Sequence, residues 1–165
     1  MPTNNAPSPR QRGLYSAEEK KRRDGTRWTL VQGILAPLQF IIFLISLGLV
    51  IRYLFSGEGY QIATWSIVIK TGVLYLIMIT GSIWEKVVFG RYLFAPAFYW
   101  VDVFSMAVLA LHTAYIIALF TGMLAPKALM ILALAAYATY VINAVQFILK
   151  LRAARLQSAK NEEPA

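Results

Sequence analysis

From Trp28 to Ile51 the chain runs WTLVQGILAPLQFIIFLISLGLVI, without a charged side chain. About 20 apolar residues cross roughly 30 Å of hydrocarbon, so this stretch is long enough for one membrane span and too short for two. Three more runs, 59–84, 92–126 and 128–149, are uncharged or nearly so and are bracketed by charged residues. Each suffices for a single span. The expectation is an all-α integral membrane bundle of four transmembrane helices, at about 28–53, 60–84, 98–121 and 127–149.

Composition agrees. Of the 165 residues, 58% are hydrophobic, and a mean hydropathy of +0.57 would leave a soluble domain with a large exposed oily surface. The formal charge of +8 could point to nucleic acid, but its placement points elsewhere. Arg10, Arg12, Lys20, Lys21, Arg22, Arg23 and Arg27 precede the first span, and Lys150, Arg152, Arg155 and Lys160 follow the last. Lys86 and Arg91 in the middle connection share that side, leaving Arg52 and Lys127 opposite. The positive-inside bias then puts both termini in the cytoplasm, with anionic lipid rather than nucleic acid as partner of the cations.

Residues 1–27 are read as a disordered, basic cytoplasmic tail. Met1–Arg12 lacks the features of a signal peptide, while Tyr15–Arg27 has a helix-start pattern, Ser16 followed by Glu19. Residues 28–149 form the transmembrane domain, and 150–165 a second basic cytoplasmic tail. Short turn-like loops at 55–59 and 121–126 fit tight hairpins. The connection 86–96 is longer and carries Phe89, Tyr92 and Phe94, which suits a segment lying at the interface.

Ionisable groups are costly at mid-bilayer, so polar residues within the spans carry the functional information. Gln32 and Gln39 share a face of the first span. Lys70 and Glu85 share one on the second, with Lys70 near mid-membrane. Asp102, Ser105 and His112 form a stripe on the third, and Thr139, Asn143 and Gln146 align on the fourth. Because alternate spans run in opposite directions, Gln32, Glu85, Asp102, Asn143 and Gln146 fall in the cytoplasmic half, which outlines a pocket open to that leaflet. Two structural alternatives stand beside this. The amides can bind helices to one another, and Glu85 and Asp102 can pair with Lys86, Arg91 or Lys70. The small residues Ala135, Ala136 and Ala144 are expected at close helix contacts.

The sequence has no cysteine and one histidine, which excludes disulfides, iron–sulfur ligation and multi-histidine metal centres. No Gly-rich phosphate loop, zinc-protease motif or serine elbow occurs. What remains is acid–base chemistry on a hydrophobic substrate.

The stretches WTLVQGILAPLQF (28–40), IWEKVVFG (83–90), FAPAF (94–98), ALHTAY (110–115), AAYATY (135–140) and KLRAAR (150–155) closely resemble the 3-vinyl bacteriochlorophyllide hydratase family, also called 2-vinyl bacteriochlorophyllide hydratase. The resemblance covers about residues 15–156. It implies a step of bacteriochlorophyll biosynthesis in the inner membrane of a phototrophic bacterium, cytoplasmic or intracytoplasmic. Water adds to the C3 vinyl group of a magnesium chlorin or bacteriochlorin, without a cofactor. On that resemblance Glu85 or Asp102, as single acids, protonates the vinyl group. A carboxylate, or His112 in its neutral form, takes a proton from the water; His112 can instead ligate the substrate magnesium, and Lys70 pairs with the propionate. Gln39, Asn143 or Gln146 positions the water, and Gln32 and Trp84 join the substrate-binding set. Four helices make a thin bundle beside a macrocycle, so a second copy of the chain or another enzyme of pigment biosynthesis is a candidate partner. The competing classes are a non-catalytic pigment-binding or assembly protein and a small transporter.

Overall fold

The computed structural model describes residues 13–162. Five helices follow one another: α1 (Ala17–Gly25), α2 (Arg27–Ser56), α3 (Tyr60–Phe89), α4 (Tyr99–Thr121) and α5 (Pro126–Glu162). The last four are long and apolar enough to cross a membrane, so the chain is an all-α, multi-pass membrane protein. The proposed disorder of Met1–Arg12 lies outside the described residues.

Helix ends follow local chemistry. Ser16 and Glu19 form the expected reciprocal capping box on α1, so part of the 1–27 tail is helical. Gly57 closes α2 in the left-handed conformation and donates its N–H to Tyr53, a geometry that glycine adopts without steric cost. The α4–α5 turn likewise closes on Gly122, and Pro126 opens α5. Thus α2–α3 and α4–α5 are tight antiparallel hairpins. Contacts within each hairpin are denser than contacts between them.

The apolar core lies in the half of the bundle nearer these two turns, where Phe43, Ile67, Tyr115, Met130 and Tyr137 interlock around Ala63, Ala133 and Ala136. Ser46 ties three helices together, its hydroxyl reaching Ser66 at 2.7 Å and Tyr137 at 2.5 Å. Leu30, Ile45, Trp65, Ile79, Phe120 and Ile148 point outward, as lipid-facing side chains must. Ala136 is buried and Ala144 partly so. Ala135, expected at a helix contact, is exposed instead, because it lies one position off the packed Ala133–Ala136–Tyr137 face.

Past Leu149, α5 does not give way to a tail but stays helical to Glu162. Residues 150–162 contain neither glycine nor proline and are rich in alanine, leucine, lysine and arginine, all strong helix formers. At the same end α1 packs on α3. Tyr15 stacks on Phe89 with ring centroids 5.7 Å apart, and the Arg23 guanidinium lies 4.6 Å above Tyr15.

Candidate active site

The end of the bundle that carries both termini gathers polar groups where the opposite end gathers hydrocarbon. Glu85 stands in the last turns of α3 and Asp102 in the first turn of α4, exposed by 4% and 9%. They belong to different helices and are separated by the 90–98 connection. Two adjacent backbone amides of that connection hold one carboxyl each, which brings the two acids to one place. Sequence reasoning named them as single acids; the fold brings them together.

The connection supplies their other contacts. Gly90 terminates α3 in the left-handed conformation. The chain then turns back so that Phe94 donates its backbone N–H to Asp102 Oδ2 at 2.8 Å, and Ala95 donates to Glu85 Oε1 at 2.6 Å. The interfacial segment expected from its aromatics is therefore also a clamp. No sequence motif announced these two amides. The available signal was a proline-containing link between two helix ends that each carry an acid.

Neither carboxyl is in an ion pair among the described residues. Lys86, a candidate partner, donates to the Gly90 carbonyl at 2.9 Å and lies over the Tyr92 ring. The Lys150 ammonium lies 5.4 Å from the Phe98 ring centroid. Trp84 belongs to the aromatic cluster at the same end of the bundle. Its indole N–H donates to Thr29 at 2.9 Å, and its ring meets Phe89 and Phe98 edge-on.

Level with the pair and up to two turns deeper lie amides with unused hydrogen-bonding capacity. Gln39 is 2% exposed, and both atoms of its amide lack a partner, as do Asn143 Oδ1 and Gln146 Oε1. The orientation of Asn143 is fixed by its neighbours. Ser105 donates its hydroxyl proton to Val101 O, so its oxygen can only accept, and it accepts from Asn143 Nδ2 at 2.8 Å. The carbonyl of Asn143 is thereby turned away and free. The antiparallel pairing of Phe43 with Tyr140 and of Ser46 with Tyr137 sets Gln39 at the depth of Asn143. Buried polar atoms are ordinarily satisfied, so this set suits a small polar occupant.

Gln32 differs. Its amide donates to Thr80 at 2.7 Å and lies against Gly81, where a Cβ would come within 3.4 Å of Gln32 Oε1. It joins α2 to α3, which is the helix-binding role expected of membrane amides.

Lys70 and His112 form a separate centre. Lys70 Nζ lies 3.1 Å from His112 Nε2, and both side chains are wholly buried. His112 Nδ1 is 2.8 Å from Val108 O. That carbonyl can only accept, so Nδ1 carries the proton and Nε2 accepts from the lysine. Phe43, Tyr137 and Tyr140 surround the lysine nitrogen at 5.8, 5.0 and 4.2 Å. Along α4, His112 stands about 15 Å from Asp102, at 1.5 Å per residue. The structure therefore divides the expected site residues into a carboxyl pair with nearby amides, and a deep lysine–histidine contact.

A family model described as 2-vinyl bacteriochlorophyllide hydratase (BCHF) matches residues 15–153. The chain belongs to that family. A relative from Rhodobacter capsulatus, named 2-vinyl bacteriochlorophyllide hydratase, is 64% identical over 159 residues, which is 96% of this chain and 92% of the relative. One from Cereibacter sphaeroides with the same name is 68% identical over 152 residues, 92% of this chain and 94% of the relative. No solved structure matches. The family match ends at residue 153 and so includes the carboxyl pair, the clamp and both sets of deeper residues.

Proposed function

We propose that this chain is a hydratase of bacteriochlorophyll biosynthesis, adding water across the 3-vinyl group of a chlorophyllide or bacteriochlorophyllide to give a 1-hydroxyethyl group. Membership of the hydratase family supports the activity. The observation that carries the mechanism is the buried carboxyl pair, each member held by one backbone amide and free of any ion pair among the described residues.

Two buried carboxyl groups held side by side do not both ionise readily, so the pair keeps one proton and contains an acid and a base at once. The acid gives its proton to the terminal vinyl carbon, which becomes a methyl group. The positive charge is left on the adjacent carbon, where the macrocycle delocalises it. Water bonds to that carbon through oxygen, and the second carboxyl takes the released proton, so the pair again holds one proton. The sum is one water added and no electron transferred.

Gln39, Asn143 and Gln146 hold the water, and Trp84 flanks the macrocycle. Of the two candidate bases, the second carboxyl is preferred to His112, which lies with Lys70 deeper in the bundle. Lys70 and His112 are candidates to meet the substrate's propionate or magnesium once their aromatic cage opens. The cations flanking the spans support a cytoplasmic location for both termini, in the inner or intracytoplasmic membrane. A second copy of the chain is the proposed partner to enclose the remainder of the macrocycle.

Membranes containing the protein, incubated with the 3-vinyl pigment in water labelled with heavy oxygen, test this directly. Mass spectrometry should find product heavier by one labelled water. Unaltered pigment that co-purifies with the protein would instead mark a pigment-binding or assembly role.

A further inference from the structure

Phe94 is the one residue other than glycine with a positive φ among the described residues, at 60°. Bulky side chains rarely occupy this left-handed region, and such strain persists only where surrounding structure over-determines it. Packing of the ring does not demand it. The Phe94 side chain is 37% exposed, tilted against Tyr99 with centroids 5.8 Å apart.

The backbone on either side does. Ala95 is wholly buried and accepts the Phe98 N–H at 2.9 Å, closing a turn. Pro96 confines Ala95 to extended conformations. Between Gly90 and this turn, the left-handed residue turns two successive N–H groups toward the same side, one onto Asp102 of α4 and the next onto Glu85 of α3. An extended residue at this position would send the two adjacent amides to opposite sides of the chain and could not bring both carboxyls together.

We infer that the strained Phe94–Ala95 turn is the positioning device of the carboxyl pair. Each amide holds one carboxyl oxygen and leaves the other free to keep or pass the shared proton. Phe94 and Ala95 are positioning residues: they act through Glu85 and Asp102. The inference rests on the hydratase function proposed above and adds to it the element that sets the distance between acid and base.

The test compares Phe94→Gly with Phe94→Ala in the full-length protein. Both lack the ring, and they differ in their tolerance of a left-handed backbone. The glycine variant should turn over about fivefold faster than the alanine variant, with equal KM for the pigment. Ala95→Pro, which deletes the donor to Glu85, should displace the pH profile of kcat while leaving KM unchanged. Equal turnover of the glycine and alanine variants would overturn the inference even where Ala95→Pro does not fold. Infrared carboxyl bands of the pigment-free protein, assigned through Glu85→Gln and Asp102→Asn, provide a readout independent of turnover. They should differ between Phe94→Gly and Phe94→Ala, and identical bands also overturn the inference. Wild-type protein that leaves the pigment unhydrated, while the bands still differ, rejects the hydratase function and retains the positioning turn.

Discussion

Lys70 donates to His112 across the middle of the bundle, Nζ to Nε2 at 3.1 Å, with no water-accessible surface on either side chain. The two removals are unequal. Lys70→Met leaves the His112 acceptor unsatisfied, at a cost of about 1–3 kcal/mol, while a flexible apolar chain fills the space among the rings. His112→Leu leaves a buried amine without its acceptor, which should cost more, about 3–5 kcal/mol. The double variant should be less destabilised than the sum of the two. Thermal unfolding of the four proteins in detergent measures the coupling, and strict additivity would show that the contact contributes nothing.

Glu85→Gln and Asp102→Asn should each lower hydration by on the order of 100-fold or more, while membrane insertion and pigment binding persist. Because the pair holds acid and base together, the double variant should be little worse than either single one. Turnover measured on the three variants decides this. Full activity in one single variant assigns the chemistry to the other carboxyl alone.

Gln39 and Gln32, seven residues apart on α2, should respond in opposite ways. Gln39→Leu removes an amide that has no partner, so stability should hold or rise while turnover falls, the usual exchange at a functional site. Gln32→Leu breaks its bond to Thr80 and should lower stability by about 0.6 kcal/mol with little effect on turnover. Parallel unfolding and activity measurements separate the two.

Tyr15 gives a pH-dependent prediction outside the spans. Burial against Phe89 and Phe98 pushes its phenol up from the ordinary 10.0, with the Arg23 guanidinium partly opposing the shift. A raised value favours the neutral, docked form. The docked form is therefore at full strength below pH 10.0, and loses stability as pH rises from there through the higher folded value. Fluorescence of Trp84, which adjoins the same aromatic cluster, should report α1 loosening in alkali. The Tyr15→Phe variant should not show that loss.

The four spans were legible because hydrocarbon leaves a helix little choice. An uncharged run of sufficient length satisfies its backbone internally or not at all. The polar stripe residues were legible by the same logic, as were Ser16 and Glu19 at the start of α1. The pairing of Glu85 with Asp102 was not, since it depends on how two hairpins meet, and periodicity describes each helix only against itself. The turn at Phe94 was less legible still, because a phenylalanine in a left-handed conformation runs against local propensity. The extension of α5 was open to view in the helix formers after Leu149, but the charges there suggested a tail.

The seam between the hairpins bears on how the protein is made. Glu85 belongs to the first hairpin and Asp102 to the second, and the amides that hold them lie in the link. A nascent chain halted after its first hairpin thus holds a solitary glutamate and no proton-sharing partner. On the proposed mechanism, acid and base meet only when the second hairpin docks on the first, so a half-assembled molecule would be chemically silent rather than misdirected.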